Sequence, residues 1–392
     1  MLSAISKLSN GVEDLQQSVE LSQPSRNVSG NLASENNVHA SHSNPARLTK
    51  RQAAFEHRLP QIDEPFQVYQ SIDRGEESSL DWRGKDLSRQ DLKLCMLSHL
   101  DMRRAVIVAA DLYGANLHET DLREADLSYS DIAEANLSLA NLSNARITAT
   151  NLSFAVLYTA NLSGSHGQEA NFFRADLREA DLYRADLRHA DLNEAVLSFA
   201  DLGHCDLSFA QLNHSNLREV LMRHANVCGV SMQKASLIRA DLSHSNFRGA
   251  DCTGASFQHS LLYETCFKDA RLIAANLSNA SFYKSILSEA HLNQANAQNA
   301  SFSRADLQGA SLMRAQMINT NFYGADLSHA VLYRANLQGT IFCGANLQGA
   351  DLRKTNLTGA NLRGANLQNA NLRHAKLNGV DLSETNTKGA TF

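Results

Sequence analysis

Four groups of side chains recur at intervals of twenty residues and have the types that binding chemistry needs. Asp91, Asp111 and Asp131 form one series, and Asp81, Asp101 and Asp121 another. Stacked carboxylates repel unless a cation or base sits among them, so each series is a candidate for a divalent ion, which wants about six converging oxygens or more. His204, His224 and His244 form a third series, with the imidazole nitrogens that transition metals favour. Arg314, Arg334, Lys354 and His374 form the fourth, with Arg353 and Arg373 next to it in sequence. A cationic row suits phosphate or an acidic protein. Each reading requires that residues twenty apart become neighbours in space.

The spacing of twenty is four periods of five. From Trp82 to Phe392 every fifth residue is a repeat centre, 63 in all, with no insertion or deletion. After Trp82, 58 of the remaining 62 are Leu, Ile, Val, Met or Phe, the exceptions being Gly167, Cys252, Ala297 and Thr387. Ala usually stands two places before the centre and Asp or Asn immediately before it, as in ANLHE, ADLSY, ADLRE, ADLYR and ANLQG. A fixed period of this kind is the mark of a repeat architecture. Over about four-fifths of the chain the pattern resembles the pentapeptide-repeat family. The resemblance implies an all-β fold, a right-handed quadrilateral parallel β-helix with four pentapeptides per coil. In such a solenoid the centre fills the interior, the small residue lets the wall turn inward without a clash, and the other three positions face water. Residues twenty apart then stack at strand spacing, and the repeats make a rod of about fifteen coils and about 75 Å.

Outside the repeats the chain reads differently. Residues 1–45 are Ser-rich and poor in apolar side chains, which predicts a disordered extension. Within it, Leu2, Ile5, Leu8, Val12, Leu15 and Val19 would line one face of a short amphipathic helix interrupted by Gly11. Its other side carries Glu13, Asp14 and Gln16 rather than bases, which favours docking on a protein over lying on a membrane. Residues 46–81, with Leu48, Phe55, Leu59, Phe66, Val68 and Ile72, are expected to cap the first coil, and Pro60 and Pro65 interrupt any helix there. Residues 82–392 form the solenoid. Phe392 is still in register, so the last coil presents an open edge through which two copies could pair as a homodimer.

The bulk composition, 43% hydrophobic and 20% charged, predicts a soluble chain. The start lacks the basic flank and apolar stretch of a secretory signal, and no apolar run is long enough to span a bilayer. Membrane insertion is therefore not expected, and a reducing cytoplasm is the simplest location. Six scattered cysteines without a CxxC pair indicate neither a zinc cluster nor a disulfide framework. Phosphate-cradling glycine loops, nucleophile elbows and HExxH are missing, and the unbroken register leaves no loop on which to assemble a catalytic pocket. The expectation is a non-enzymatic protein with no cofactor.

Charge then decides among binding functions. Flat ladders do not surround an ion, so the Asp series read chiefly as solvated acidic walls. Arg103, Arg104 and Arg123 are placed to neutralise one and Lys93 the other. The His series reads as exposed imidazoles. The basic row, with Tyr333 as its one aromatic neighbour, remains a candidate interaction surface, as do Asp91, Asp111 and Asp131. Net charge is −8 over residues 81–210 and +4 over residues 300–392. Some members of the resembled family inhibit DNA gyrase by imitating DNA. A stretch of about 31 Å of duplex carries about 18 negative charges, more than twice the −8 of residues 81–210. The dimerising helix and projecting loops of the gyrase-directed members also have no counterpart here. The leading expectation is a rigid scaffold or regulatory module that binds an unidentified protein partner, with no direct nucleic-acid binding. Two alternatives are a DNA-mimic inhibitor of a type II topoisomerase and a secreted bacterial effector with an N-terminal export signal.

Overall fold

Every fifth residue from Gly84 to Gly389 takes a left-handed backbone conformation, with φ between 53° and 72°. The computed structural model describes residues 81–392, so this turn recurs through the whole described chain. Its hydrogen bond runs from the N–H three residues after a centre back to the centre's carbonyl, as from Cys95 to Leu92 at 3.2 Å and from Ala115 to Leu112 at 3.0 Å. A left-handed second central residue is the signature of a type II turn. Where Asp or Asn stands before a centre, it commonly locks the turn from outside. Its Oδ1 accepts the N–H two residues on: Asp91 from Lys93 at 3.2 Å, Asn171 from Phe173 at 3.0 Å, Asp326 from Ser328 at 2.8 Å. This Asx turn is the physical reason for the D/N position. It also corrects the expectation that the position merely faces water.

The remaining backbone groups bond from coil to coil. In the repeat around Leu97, Leu97 N–H donates to Asn116 O at 2.8 Å and His99 N–H to His118 O at 2.9 Å. Asn116, one coil on, donates back to Cys95 O at 2.9 Å. Where Asp or Asn precedes the centre, as in the repeat around Leu117, these together with the turn and the Asx bond pair all five N–H groups: Asn116 with Cys95 O, Leu117 with Asn136 O, His118 with Asn116 Oδ1, Glu119 with Ser138 O and Thr120 with Leu117 O. Parallel bridges consequently join each residue before a centre to the one twenty later, from Asp86 with Val106 to Asn371 with Thr391. The fold is the expected right-handed quadrilateral β-helix. Its four walls are named here by their centres: the first contains Trp82 and Met102, the second Leu87 and Ile107, the third Leu92 and Leu112, the fourth Leu97 and Leu117.

The centres and the small residues two places before them form one continuous buried core from Trp82 to Leu372. Where Thr replaces Ala at the small position, its hydroxyl donates to an interior carbonyl, as Thr120 does to Leu97 O and Thr150 to Leu127 O, each at 2.8 Å. Gly167, one of the irregular centres, leaves space that Ile147 and Leu187 fill from the coils on either side: a Cβ there would meet them at 3.2 and 2.9 Å. In the C-terminal half, Phe282, Phe302, Phe322 and Phe342 stack along the first wall, with successive centroids 4.7, 5.2 and 5.0 Å apart. At the last coil the interior opens, and Leu382 and Phe392 are 37% and 57% exposed. Among the described residues no helix is long and apolar enough to cross a membrane. The expected extension and cap, residues 1–45 and 46–80, lie outside the described residues.

Candidate interaction surface

Arg314, Arg334, Lys354 and His374 all occupy the left-handed turn position of the third wall, with φ of 58°, 60°, 59° and 63°. The fold thus brings the predicted basic row into one column. Tyr333 lies at its centre, with Arg334 Cζ 5.3 Å, Arg353 Cζ 5.6 Å and Lys354 Nζ 5.8 Å from the ring centroid. Cations over a tyrosine face are held by the ring quadrupole. Desolvation alone would raise the Tyr333 phenol, but the hydrogen bond with Lys354 and the charges of Arg334 and Lys354 hold it below its ordinary value.

Arg353 departs from the expected open surface. Its Nε and Nη2 fork onto Asp351 Oδ1 and Oδ2 at 2.8 and 2.7 Å, and this bond holds the Asp351 carboxyl below 3.8. Arg314, Arg334, Lys354 and Arg373 have no carboxylate within ion-pair distance among the described residues. The N-terminal coils differ. On the first wall Arg83, Arg103 and Arg123 each close onto the Asp two residues before, at 2.6–2.7 Å, and Arg104 pairs with Glu124 at 2.8 Å.

Asp91, Asp111 and Asp131 do form a ladder, but each spends Oδ1 on its turn, at 3.2 Å in all three. Lys93 Nζ reaches Asp111 Oδ2 at 2.9 Å, and the Asn151 amide donates to Asp131 at 2.8 Å. His204, His224 and His244 stack nearly parallel, with centroids 4.9 and 4.8 Å apart, and His244 Nδ1 lies 3.5 Å from Glu264. Parallel rings do not converge on a point. Among the described residues no group of His, Cys, Asp or Glu is arranged to hold a metal.

Asp91 and Asp351 belong to the same column, so the acidic ladder and the basic row share the third wall, one early and one late. The relation follows from the spacing of twenty, since positions 91 and 351 differ by a multiple of it. The exposed apolar cluster of Leu139, Phe154, Val156 and Tyr158, where the third and fourth walls meet, does not follow from that rule, because no two of its members stand twenty residues apart.

Models of pentapeptide repeats match residues 108–144, 129–164, 170–208, 205–243, 235–272 and 345–383, and a pentapeptide repeat region matches residues 265–342. Together they span well over half of the chain. It belongs to the pentapeptide-repeat family. Among solved structures it is similar to HetL from the cyanobacterium Nostoc, a pentapeptide repeat protein involved in heterocyst differentiation regulation. The identity is 34%, over 54% of this chain and 89% of HetL, with a TM-score of 0.24. Rfr23 from the cyanobacterium Cyanothece is 32% identical over 32% of this chain and 66% of its own, with a TM-score of 0.16. QnrB1, a plasmid-mediated fluoroquinolone resistance protein, is 22% identical over 42% of this chain and 90% of its own, with a TM-score of 0.26. No curated protein sequence matches the chain. In this pentapeptide-repeat protein the turn at every fifth residue runs through the described solenoid without a projecting loop, so its chemistry resides on the walls.

Proposed function

We propose that the protein is a non-enzymatic binding module of the bacterial cytoplasm whose solenoid holds an acidic protein partner on the late third wall. The observation that carries this reading is the uncompensated column of Arg314, Arg334 and Lys354 around Tyr333. Elsewhere many guanidiniums are taken up by a carboxylate in the same or the adjacent coil. A cationic row left open on a stiff wall is pre-organised, so an acidic partner orders few side chains on binding. The early acidic coils support DNA mimicry less well, because their aspartates are committed to turns and Lys93, Arg83, Arg103 and Arg123 partly cancel them.

The test uses a fluorescent polyglutamate peptide as probe. Replacing Arg314, Arg334 and Lys354 together with Gln should weaken its binding about tenfold or more with unchanged circular dichroism, and binding by the native protein should fall with added salt. Salt-insensitive binding that the triple variant retains would place the contact elsewhere. A supercoiling assay with DNA gyrase separates the alternative, since inhibition that survives the triple substitution would favour the topoisomerase reading.

A further inference from the structure

On the first wall a tyrosine follows each of the centres Leu262, Phe282 and Phe322, and a serine follows Phe302. Tyr263 and Tyr323 are 40% and 51% exposed. Between Tyr283 and Tyr323 the wall carries only Ser301 and Ser303, so it sinks there into an open groove of about 710 Å³ that Arg304 also lines. The two serine hydroxyls bond each other at 3.2 Å and make a floor. Tyrosine with arginine is the composition of an interface centre rather than of ordinary surface.

The groove is pre-organised. Tyr283 is held from three directions: Lys284 Nζ lies 5.4 Å from its centroid, Arg304 Nη1 donates to its hydroxyl at 3.3 Å, and the Tyr263 ring meets it edge-on at 6.4 Å. A ring fixed before a partner arrives loses little rotamer freedom on binding. Most charge beside the groove is already matched. Glu264 takes Lys284 at 3.2 Å and lies 3.5 Å from His244, whereas Arg304 has no carboxylate within ion-pair distance among the described residues. A guanidinium has several N–H donors, and the bond to Tyr283 leaves the others for a carboxylate and for backbone carbonyls.

Spacing selects the occupant. Tyr283 and Tyr323 stand two coils apart, about 10 Å at strand spacing, over interior rings stacked at 4.7 and 5.2 Å. A polyproline II helix has three residues per turn and a rise of about 3.1 Å, so every third residue returns to the same face after about 9 Å. Prolines three residues apart, on a segment laid along the rod, therefore meet the two tyrosines in turn, and the residues between them pass over Ser303. Such segments dock in aromatic-lined grooves because they are extended before they bind and their carbonyls have no internal partner. The unmatched charge of Arg304 calls for one acidic side chain among them.

We propose that this groove binds a proline-rich segment of a partner, with prolines on Tyr283 and Tyr323 and an acid on Arg304. The contact is separate from the basic column of the third wall. The test is fluorescence polarisation with the labelled peptide PAEPAEP, beside AAEAAEA as a control of equal charge. The native protein should prefer the proline peptide several-fold. Tyr283→Ala/Tyr323→Ala should weaken its binding about tenfold or more with unchanged circular dichroism, and Arg304→Gln should flatten its salt dependence. Replacing Arg314, Arg334 and Lys354 with Gln should leave it unchanged. Equal affinity for the two peptides would reduce the contact to charge, and binding retained by the tyrosine variant would remove the groove. Salt dependence unaltered by Arg304→Gln would take the acid elsewhere, and loss in the triple variant would move the peptide to the third wall. No binding at about 1 mM peptide would leave the groove without such a ligand, and a tighter, tyrosine-dependent hold on single-stranded oligothymidylate would make nucleic acid the occupant. Each of these results overturns the proposal.

Discussion

The Phe282 and Phe302 rings lie 4.7 Å apart and 9° from parallel in the sealed interior of the first wall. Phe322 continues the stack below Phe302, so removing Phe302 withdraws contacts from two coils at once and leaves a hole that rigid walls cannot close. Phe302→Ala should cost about 3–5 kcal/mol. Arg314→Ala removes an unpaired head group from the outside and should stay within about 0.5 kcal/mol of the native protein. Denaturant melts of the two variants check this, and equal losses would contradict the inward and outward assignment.

The corner beside Gly344 separates backbone strain from packing. Its φ is +65°, and a Cβ added there meets nothing within 4 Å. Gly344→Ala should therefore destabilise through the left-handed conformation alone, by about 1 kcal/mol. Gly344→Asn should cost less, because Asn tolerates that conformation. Thermal melts that rank Asn below Ala would show that the corner is governed by something other than φ.

Asp131 tests whether the acidic ladder is chemistry or architecture. Its Oδ1 accepts both the Ala133 N–H at 3.2 Å and the Asn151 amide at 2.8 Å. Asp131→Asn retains that acceptor and should be nearly neutral, whereas Asp131→Ala should cost about 1–2 kcal/mol because a turn N–H loses its partner. Similar losses in both would mean that the charge, not the turn, is what the position supplies.

These relations mark how far the sequence could be read. Leu97 and Leu117 announce themselves as interior by an unbroken period, and the columns of Arg314 with Arg334 and of His204 with His224 follow from the count of twenty. The D/N position is legible as a pattern but not as a turn lock, because the acceptance of the Lys93 N–H by Asp91 Oδ1 is a matter of side-chain geometry that no period reveals. The engagement of Arg353 by Asp351 is not legible in the sequence for a related reason. An arginine two residues after an aspartate can point along the wall or back to its own turn, and side-chain geometry decides which. The cluster around Phe154 joins two walls across a corner, and reading one column at a time separates its members.

Acid should loosen the solenoid, and the sign follows from its aspartates. At Asp241, burial alone would raise the carboxyl, but the Arg223 guanidinium at 2.6 Å and the Ser243 hydroxyl at 2.8 Å more than offset it, leaving the group below its ordinary 3.8. Asp101, Asp121, Asp176 and Asp351 shift the same way, chiefly through hydrogen bonds from the arginine two residues on. A carboxyl depressed in the folded state binds protons more readily when unfolded, so stability rises with pH across the window. The contribution is complete above the unfolded value of 3.8 and is lost as pH falls through the lower folded values. The melting temperature should thus be flat from about pH 8 to about pH 5 and fall below about pH 4. Asp241→Asn should lower the neutral plateau and make the acid limb shallower, because one depressed carboxyl no longer titrates. Melts at pH 7, 5, 4 and 3 for both proteins read this directly. A plateau that persists to pH 3 would show that these carboxylates are held no better in the folded chain than in the unfolded one.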